Sequence, residues 1–208
     1  MRGRPNYLKR PLDSILSAPS NIAVLRVLKD TKQGMSGRAV AREAGFQHGA
    51  IRAAIAKLEV LGLIDRQGSG KTQLIRLNFE HHLVRDVLLP MFAAEKRTMG
   101  ELRALLRKEF KDEAVVATLF GSAARGEEEP GSDIDILLVV KNGGKAKLLA
   151  KAEALGSKLA QRYGLRLSPL IRTAHELKSR PRRADPLINN ILAEGIDLLD
   201  TSLEDFLA

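Results

Sequence analysis

Two short stretches carry residues whose types and spacing suit phosphate chemistry. One is Phe120-Gly-Ser-Ala-Ala-Arg-Gly126, the other Ser132-Asp-Ile-Asp135, with ten residues between Ser122 and Asp133. In an extended chain side chains alternate between faces, so residues two apart share a face and lie about 6.5–7 Å from each other. Asp133 and Asp135 therefore point one way, and Ile134 and Ile136 the other. Two converging carboxylates repel, and the only neutralising group nearby in sequence is Arg125; an oxygen-only pair of this kind suits Mg²⁺. Gly121, with no Cβ, and the hydroxyl-bearing Ser122 end the preceding apolar run, where exposed N–H groups can hold phosphate oxygens. Taken alone each half is ordinary: Gly-Ser is a common turn, and Asp-x-Asp often merely opens a strand.

The elements that must position these groups are legible around them. Residues 114–120 (AVVATLF) read as a strand, residues 121–131 as a loop, and residues 132–140 as a second strand. A helix over 145–163, a strand over 165–172, a helix near 174–179 and the segment 190–199 follow. With this context the two stretches together resemble the signature of the polymerase-beta nucleotidyltransferase superfamily, in the GS-x-x-R-G form of its minimal branch, over roughly residues 95–200. The resemblance implies an α+β domain, a small mixed sheet flanked by helices on one side, over 95–208. It also implies transfer of a nucleoside monophosphate from an NTP to an acceptor hydroxyl with loss of pyrophosphate. Gly121 and Ser122, with Arg125 and Ser132 beside them, would bind the nucleotide, while Asp133 and Asp135 would hold Mg²⁺ as the catalytic pair.

The sequence departs from that family at one point. Active members have a third carboxylate on the next core strand, which helps hold the metal and takes the proton from the acceptor. Here that strand reads Leu165-Arg-Leu-Ser-Pro-Leu-Ile-Arg172, with Ser168 at or near the expected position and no Asp or Glu in it. Two functions stay open: a transferase bearing a DNA-binding module, or a DNA-binding transcriptional regulator whose impaired transferase domain senses nucleotide or dimerises. Glu176, eight residues on, reads as a surface helix residue.

The DNA expectation comes from the first third of the chain. Of the net charge of +9, residues 1–80 hold 14 Lys+Arg against 6 Asp+Glu, or +8, leaving +1 for 81–208 (20 against 19). A cationic unit joined to a near-neutral one points to a polyanion. Helices are expected from Ser20 as N-cap, from Ser36 as N-cap, and from about Gln47 to Leu61 with Ile51, Ile55, Leu58 and Val60 or Leu61 inward. A hairpin with a basic Gly-rich tip follows. This pattern resembles the winged helix-turn-helix family over 14–80, which implies that Gln47, His48 and Arg52 face DNA bases while Arg66 and Lys71 meet phosphates. Residues 81–113 read as a helical connector interrupted near Pro90. Arg2-Gly3-Arg4-Pro5 resembles an AT-hook core but reads more simply as a basic terminus, and His81-His82 as junction surface.

Composition bounds the rest. The absence of cysteine excludes disulfides, thiolate metal sites and cysteine nucleophiles. No apolar run reaches the roughly 18 residues of a membrane span, and the first residues do not form a secretory signal, so the expectation is cytoplasmic, with no membrane partner. The expected partners are DNA, a nucleoside triphosphate, a protein acceptor or toxin-like partner, and a second copy in a homodimer.

Overall fold

The computed structural model describes residues 7–68, 73–140, 144–179 and 185–208, and the chain divides into two compact units between Arg97 and Thr98. In the first, helices α1 (Pro11–Ile15), α2 (Pro19–Leu28), α3 (Gly37–Ala44) and α4 (His48–Val60) precede an antiparallel pair, β1 (Ile64–Gln67) and β2 (Leu74–Leu77). The core of this unit gathers Val24, Leu25 and Leu28 of α2, Val40 of α3, Ile51, Ile55 and Leu58 of α4, and Ile64, Ile75 and Leu77 of the strands. Ser36 caps α3 by accepting the Ala39 N–H at 3.3 Å, and Gly45 closes it at φ 67°. One expectation is corrected here, and the choice between Val60 and Leu61 is settled. Helix α2 starts at Pro19 behind an extended Ala18, not after Ser20, and has no side-chain cap; Pro suits the first helical position because its φ is already near the helical value and an N–H there would have no intrahelical partner. Val60 is 87% exposed; Leu61 is the half-buried residue.

The interruption expected near Pro90 takes the form of a π-helical turn, Val84–Leu88, in which the Leu89 N–H reaches back to the Val84 carbonyl. Helix α5 (Leu89–Phe110) then runs on. Proline cannot donate to the carbonyl four residues earlier and its ring crowds that group, so the widened turn relieves both. No helix among the described residues is long and apolar enough to cross a membrane.

The second unit is a four-stranded mixed sheet with strands β3 (Ala114–Phe120), β4 (Asp133–Val140), β5 (Arg166–Thr173) and β6 (Ile196–Asp197), in the order β5-β4-β3-β6. Strands β3 and β4 are antiparallel, β4 and β5 parallel. The parallel pair needs a crossover, which is α7 (Lys145–Tyr163). Leu148, Leu155 and Leu159 of α7 and Leu102, Leu106 and Phe110 of α5 pack on Ile134, Ile136 and Leu138. Contrary to the expectation of helices on one side, the other face is covered too. Leu177 of α8 (Ala174–Lys178), Ile188 and Ile191 of α9 (Pro186–Glu194) and Leu203 of α10 (Leu203–Leu207) enclose Val116, Leu137 and Val139. The physical reason is that β4 is apolar on both faces beyond Asp135, and a strand that is apolar on both faces must be covered on both.

Candidate functional site

The site lies where β3 ends and β4 begins. Asp133 and Asp135 are the first and third residues of β4, half-buried, while Ile134 and Ile136 are buried on the opposite face. Phe120, the last residue of β3, pairs with Asp135, which sets Gly121 and Ser122 beside the carboxylates. Gly121 is required there twice over. Its φ of 73° and ψ of −156° disfavour a side chain, and a Cβ on it would lie 2.6 Å from Asp135 Oδ2. The carboxylate thus rests directly against the glycine backbone. Ser122 opens the short helix α6 (Ser122–Arg125), which Gly126 closes at φ 70°.

The other candidates in this loop have protein partners. Ser132 Oγ accepts the Glu129 N–H at 3.0 Å and so fastens the turn leading into β4. Arg125 donates to Glu127 Oε2 at 2.7 Å and, through Nη1, to Glu194 Oε2 at 3.0 Å. These two carboxylates, Glu127 foremost, raise the Arg125 pKa above its ordinary value, so a phosphate group would have to compete with them. Glu194 sits at the end of α9, 69 residues from Arg125, and no local sequence signal reports the contact.

The parallel register pairs Asp133 with Arg166 and Asp135 with Ser168, and paired residues share a face. Ser168 is therefore the β5 residue beside Asp135. Arg166, which sequence reasoning passed over, brings its Nε to 2.8 Å from Asp133 Oδ1. The N–H is not aimed at that oxygen: the contact is an ion pair, and Asp133 Oδ1 is buried without a hydrogen-bond donor. Glu176 lies elsewhere, since it caps α8 by accepting the Thr173 N–H and pairs with Lys145 at 3.1 Å. Thr173 aligns with Val140, five residues beyond the level of Ser168, or about 16 Å along the strand. The Thr173 N–H, and secondarily Lys145, hold the Glu176 carboxyl below the usual range.

In the first unit, His48, Arg52 and Arg66 line one cleft of about 590 Å³ together with Ser36, Gly37, Arg38, Ile55, Gln73 and Ile75. Arg38 was not singled out in the sequence, because α3 gave no hint that its first turn faces α4 across this hollow. Gln47, the N-cap of α4, is exposed but does not line the cleft. Arg66 is held by Glu59 Oε2 at 2.8 Å and Gln73 Oε1 at 3.4 Å. Lys71 and the Arg2-Gly3-Arg4-Pro5 stretch lie outside the described residues. The His81 and His82 rings stack 4.9 Å apart, and His81 Nδ1 accepts the Leu83 N–H at 3.2 Å.

Comparison with known proteins agrees with the geometry of the second unit. Residues 100–196 match the family model described as a nucleotidyltransferase domain. A 61-residue stretch, 29% of this chain, is 36% identical to a candidate protein adenylyltransferase of Methanocaldococcus jannaschii and spans 62% of that protein's length. A crystal structure of a toxin–antitoxin with AMP-PNP aligns at 22% identity over 53% of this chain and 81% of that chain, with a TM-score of 0.35, too loose a likeness to argue from. The C-terminal part of the chain thus carries a nucleotidyltransferase domain within a mixed α+β unit.

Proposed function

We propose that the second unit binds a nucleoside triphosphate with Mg²⁺ at Asp133 and Asp135 and transfers the nucleoside monophosphate to a hydroxyl, with a protein as the acceptor that the M. jannaschii relative's name suggests. The observation that carries this reading is the convergence of the two carboxylates on the face where Asp135 rests against Gly121. The donor set fits the metal in part. Oxygen ligands suit Mg²⁺, and Asp133 Oδ1 is a buried acceptor without a donor. No cluster of three or more metal-ligating side chains occurs among the described residues, so nucleotide phosphates and water would complete the shell. When bound, the ion neutralises charge on the triphosphate and the leaving pyrophosphate.

In the reaction the acceptor oxygen bonds to the α-phosphorus, the bond to the pyrophosphate oxygen breaks, and the hydroxyl proton must leave. Gly121 gives the Asp135 carboxylate room against the loop backbone, and Asp133 and Asp135 fix the cation side of the site. No carboxylate stands at residue 168 to take the proton, which favours slow turnover and supports the second reading, a regulator that binds nucleotide more readily than it transfers it. Incubation with α-labelled ATP and with α-labelled GTP checks the transfer. Label on the protein or an added partner that disappears in Asp133→Asn supports it, and label that persists in that variant contradicts the assignment.

We propose further that the first unit is a winged helix-turn-helix that binds DNA, as a homodimer on a two-fold site. Its support is the +8 charge of residues 1–80 and the gathering of Arg38, His48, Arg52 and Arg66 around one cleft. Arg38→Ala with Arg52→Ala is expected to reduce the slope of log K against log salt by about 2 if each side chain neutralises one phosphate. Filter binding or fluorescence anisotropy at several salt concentrations measures this, and an unchanged slope argues against the surface.

A further inference from the structure

The strand that lacks the third carboxylate carries a cation instead. Arg166 stands directly across the parallel register from Asp133, its Nε lies 2.8 Å from Asp133 Oδ1, and its other end donates to the Gly131 carbonyl at 3.3 Å. Gly131 is two residues before Asp133, so the guanidinium is fastened at two points to the chain that enters β4. Meanwhile Asp135, two register positions further on the same face, faces the neutral Ser168. Of the two carboxylates that would hold a divalent ion, one is neutralised by a permanent positive charge and the other is not.

From this we infer that Arg166 is a tethered counter-ion occupying the metal-facing oxygen of Asp133, which a divalent cation must displace in order to use both carboxylates. The inference rests on the reading of Asp133 and Asp135 as the cation site and deepens it, naming the residue that sets how tightly the ion is held. Three features support displacement over a fixed structural pair. The Arg166 side chain is 74% exposed and that of Asp133 42%, so the guanidinium can leave for solvent although the oxygen beneath it is itself covered. The contact lacks hydrogen-bond alignment at Asp133 Oδ1, which leaves that oxygen's lone pairs unused. The long, flexible arginine is anchored at the edge strand of the sheet, with solvent to swing into. Its chemistry matches that of an ion at the same oxygen, because both satisfy one carboxylate's charge, and only a divalent ion can also engage Asp135.

The test uses the full chain and Mn²⁺ alone as the probe, with free Mn²⁺ followed by electron paramagnetic resonance. Arg166→Ala is expected to tighten Mn²⁺ binding about five- to tenfold, since a positive charge next to the ion is removed, and Arg166→Lys to return it to near the wild-type value. Circular dichroism melting confirms that each variant is folded. Tightening in Arg166→Ala that vanishes when Asp133→Asn is added supports the inference. If Asp133→Asn/Asp135→Asn abolishes binding but Arg166→Ala leaves it unchanged or weaker, the arginine role is overturned while the cation site stands. Mn²⁺ binding that survives Asp133→Asn/Asp135→Asn, or its absence from every form, overturns both.

Discussion

Ser168→Asp is expected to tighten divalent-cation binding by at least about tenfold, equivalent to about 1.4 kcal/mol. Residue 168 pairs with Asp135 across the parallel register, so a carboxylate there would project from the same face about 4.8 Å away. With Asp133 and Asp135 it would make three carboxylates where the wild type has two. The gain has a predictable companion: without metal, a new negative charge beside Asp135 repels it, so the variant should melt at lower temperature than wild type in chelator and recover in excess Mn²⁺. The same carboxylate could accept the acceptor's proton, so nucleotide transfer should rise together with cation affinity. Titration by electron paramagnetic resonance and paired melting curves measure both effects. Unchanged affinity would mean that the face shared by β4 and β5 is not where the cation binds.

The second large effect concerns the scaffold. Phe110 is fully buried where α5 ends, among Leu102 and Leu106 of the same helix and the sheet face carrying Ile134 and Ile136. Phe110→Ala is expected to cost about 3–5 kcal/mol, because the lost transfer energy is compounded by a cavity that closely packed neighbours cannot fill. That is a large share of the 5–15 kcal/mol typical of a whole domain. Urea unfolding followed by circular dichroism should show the midpoint shift, and a loss below about 1 kcal/mol would indicate that this packing is not as tight as the burial implies. The effect reaches function indirectly, since Ile134 and Ile136 are the residues whose burial turns Asp133 and Asp135 toward the site.

How far the sequence revealed this arrangement depended on the range of the interaction. The placement of Asp133 and Asp135 on one face followed from strand alternation alone. The tight fit of Gly121 under Asp135 did not, because it depends on which β4 residue meets the end of β3. Ser168 was noticed as a missing acid, yet its pairing with Asp135, and that of Arg166 with Asp133, is a matter of register between strands 33 residues apart. Local pattern does not determine the register of β5, an edge strand whose mostly half-buried residues lack a clean buried and exposed alternation. The Arg125–Glu194 contact was invisible because the two residues stand 69 apart at the ends of different helices and meet only in the folded chain. Helix α1 escaped notice because five residues carry too little periodicity, although Ile15 within it is fully buried. The helix near 174–179 was expected but its place on the second sheet face was not, and α10 escaped notice because five residues show their apolar side only when folded.

The central claim, a nucleotide site built on Asp133 and Asp135, is tested most directly by calorimetric titration of ATP and GTP into the purified full chain, with and without Mg²⁺, in wild type and in Asp133→Asn/Asp135→Asn. The account predicts Mg²⁺-dependent binding of at least one nucleotide to the wild type and its loss in a double variant that remains folded. Binding that is indifferent to Mg²⁺ and to both substitutions, or no binding by the wild type, would contradict it.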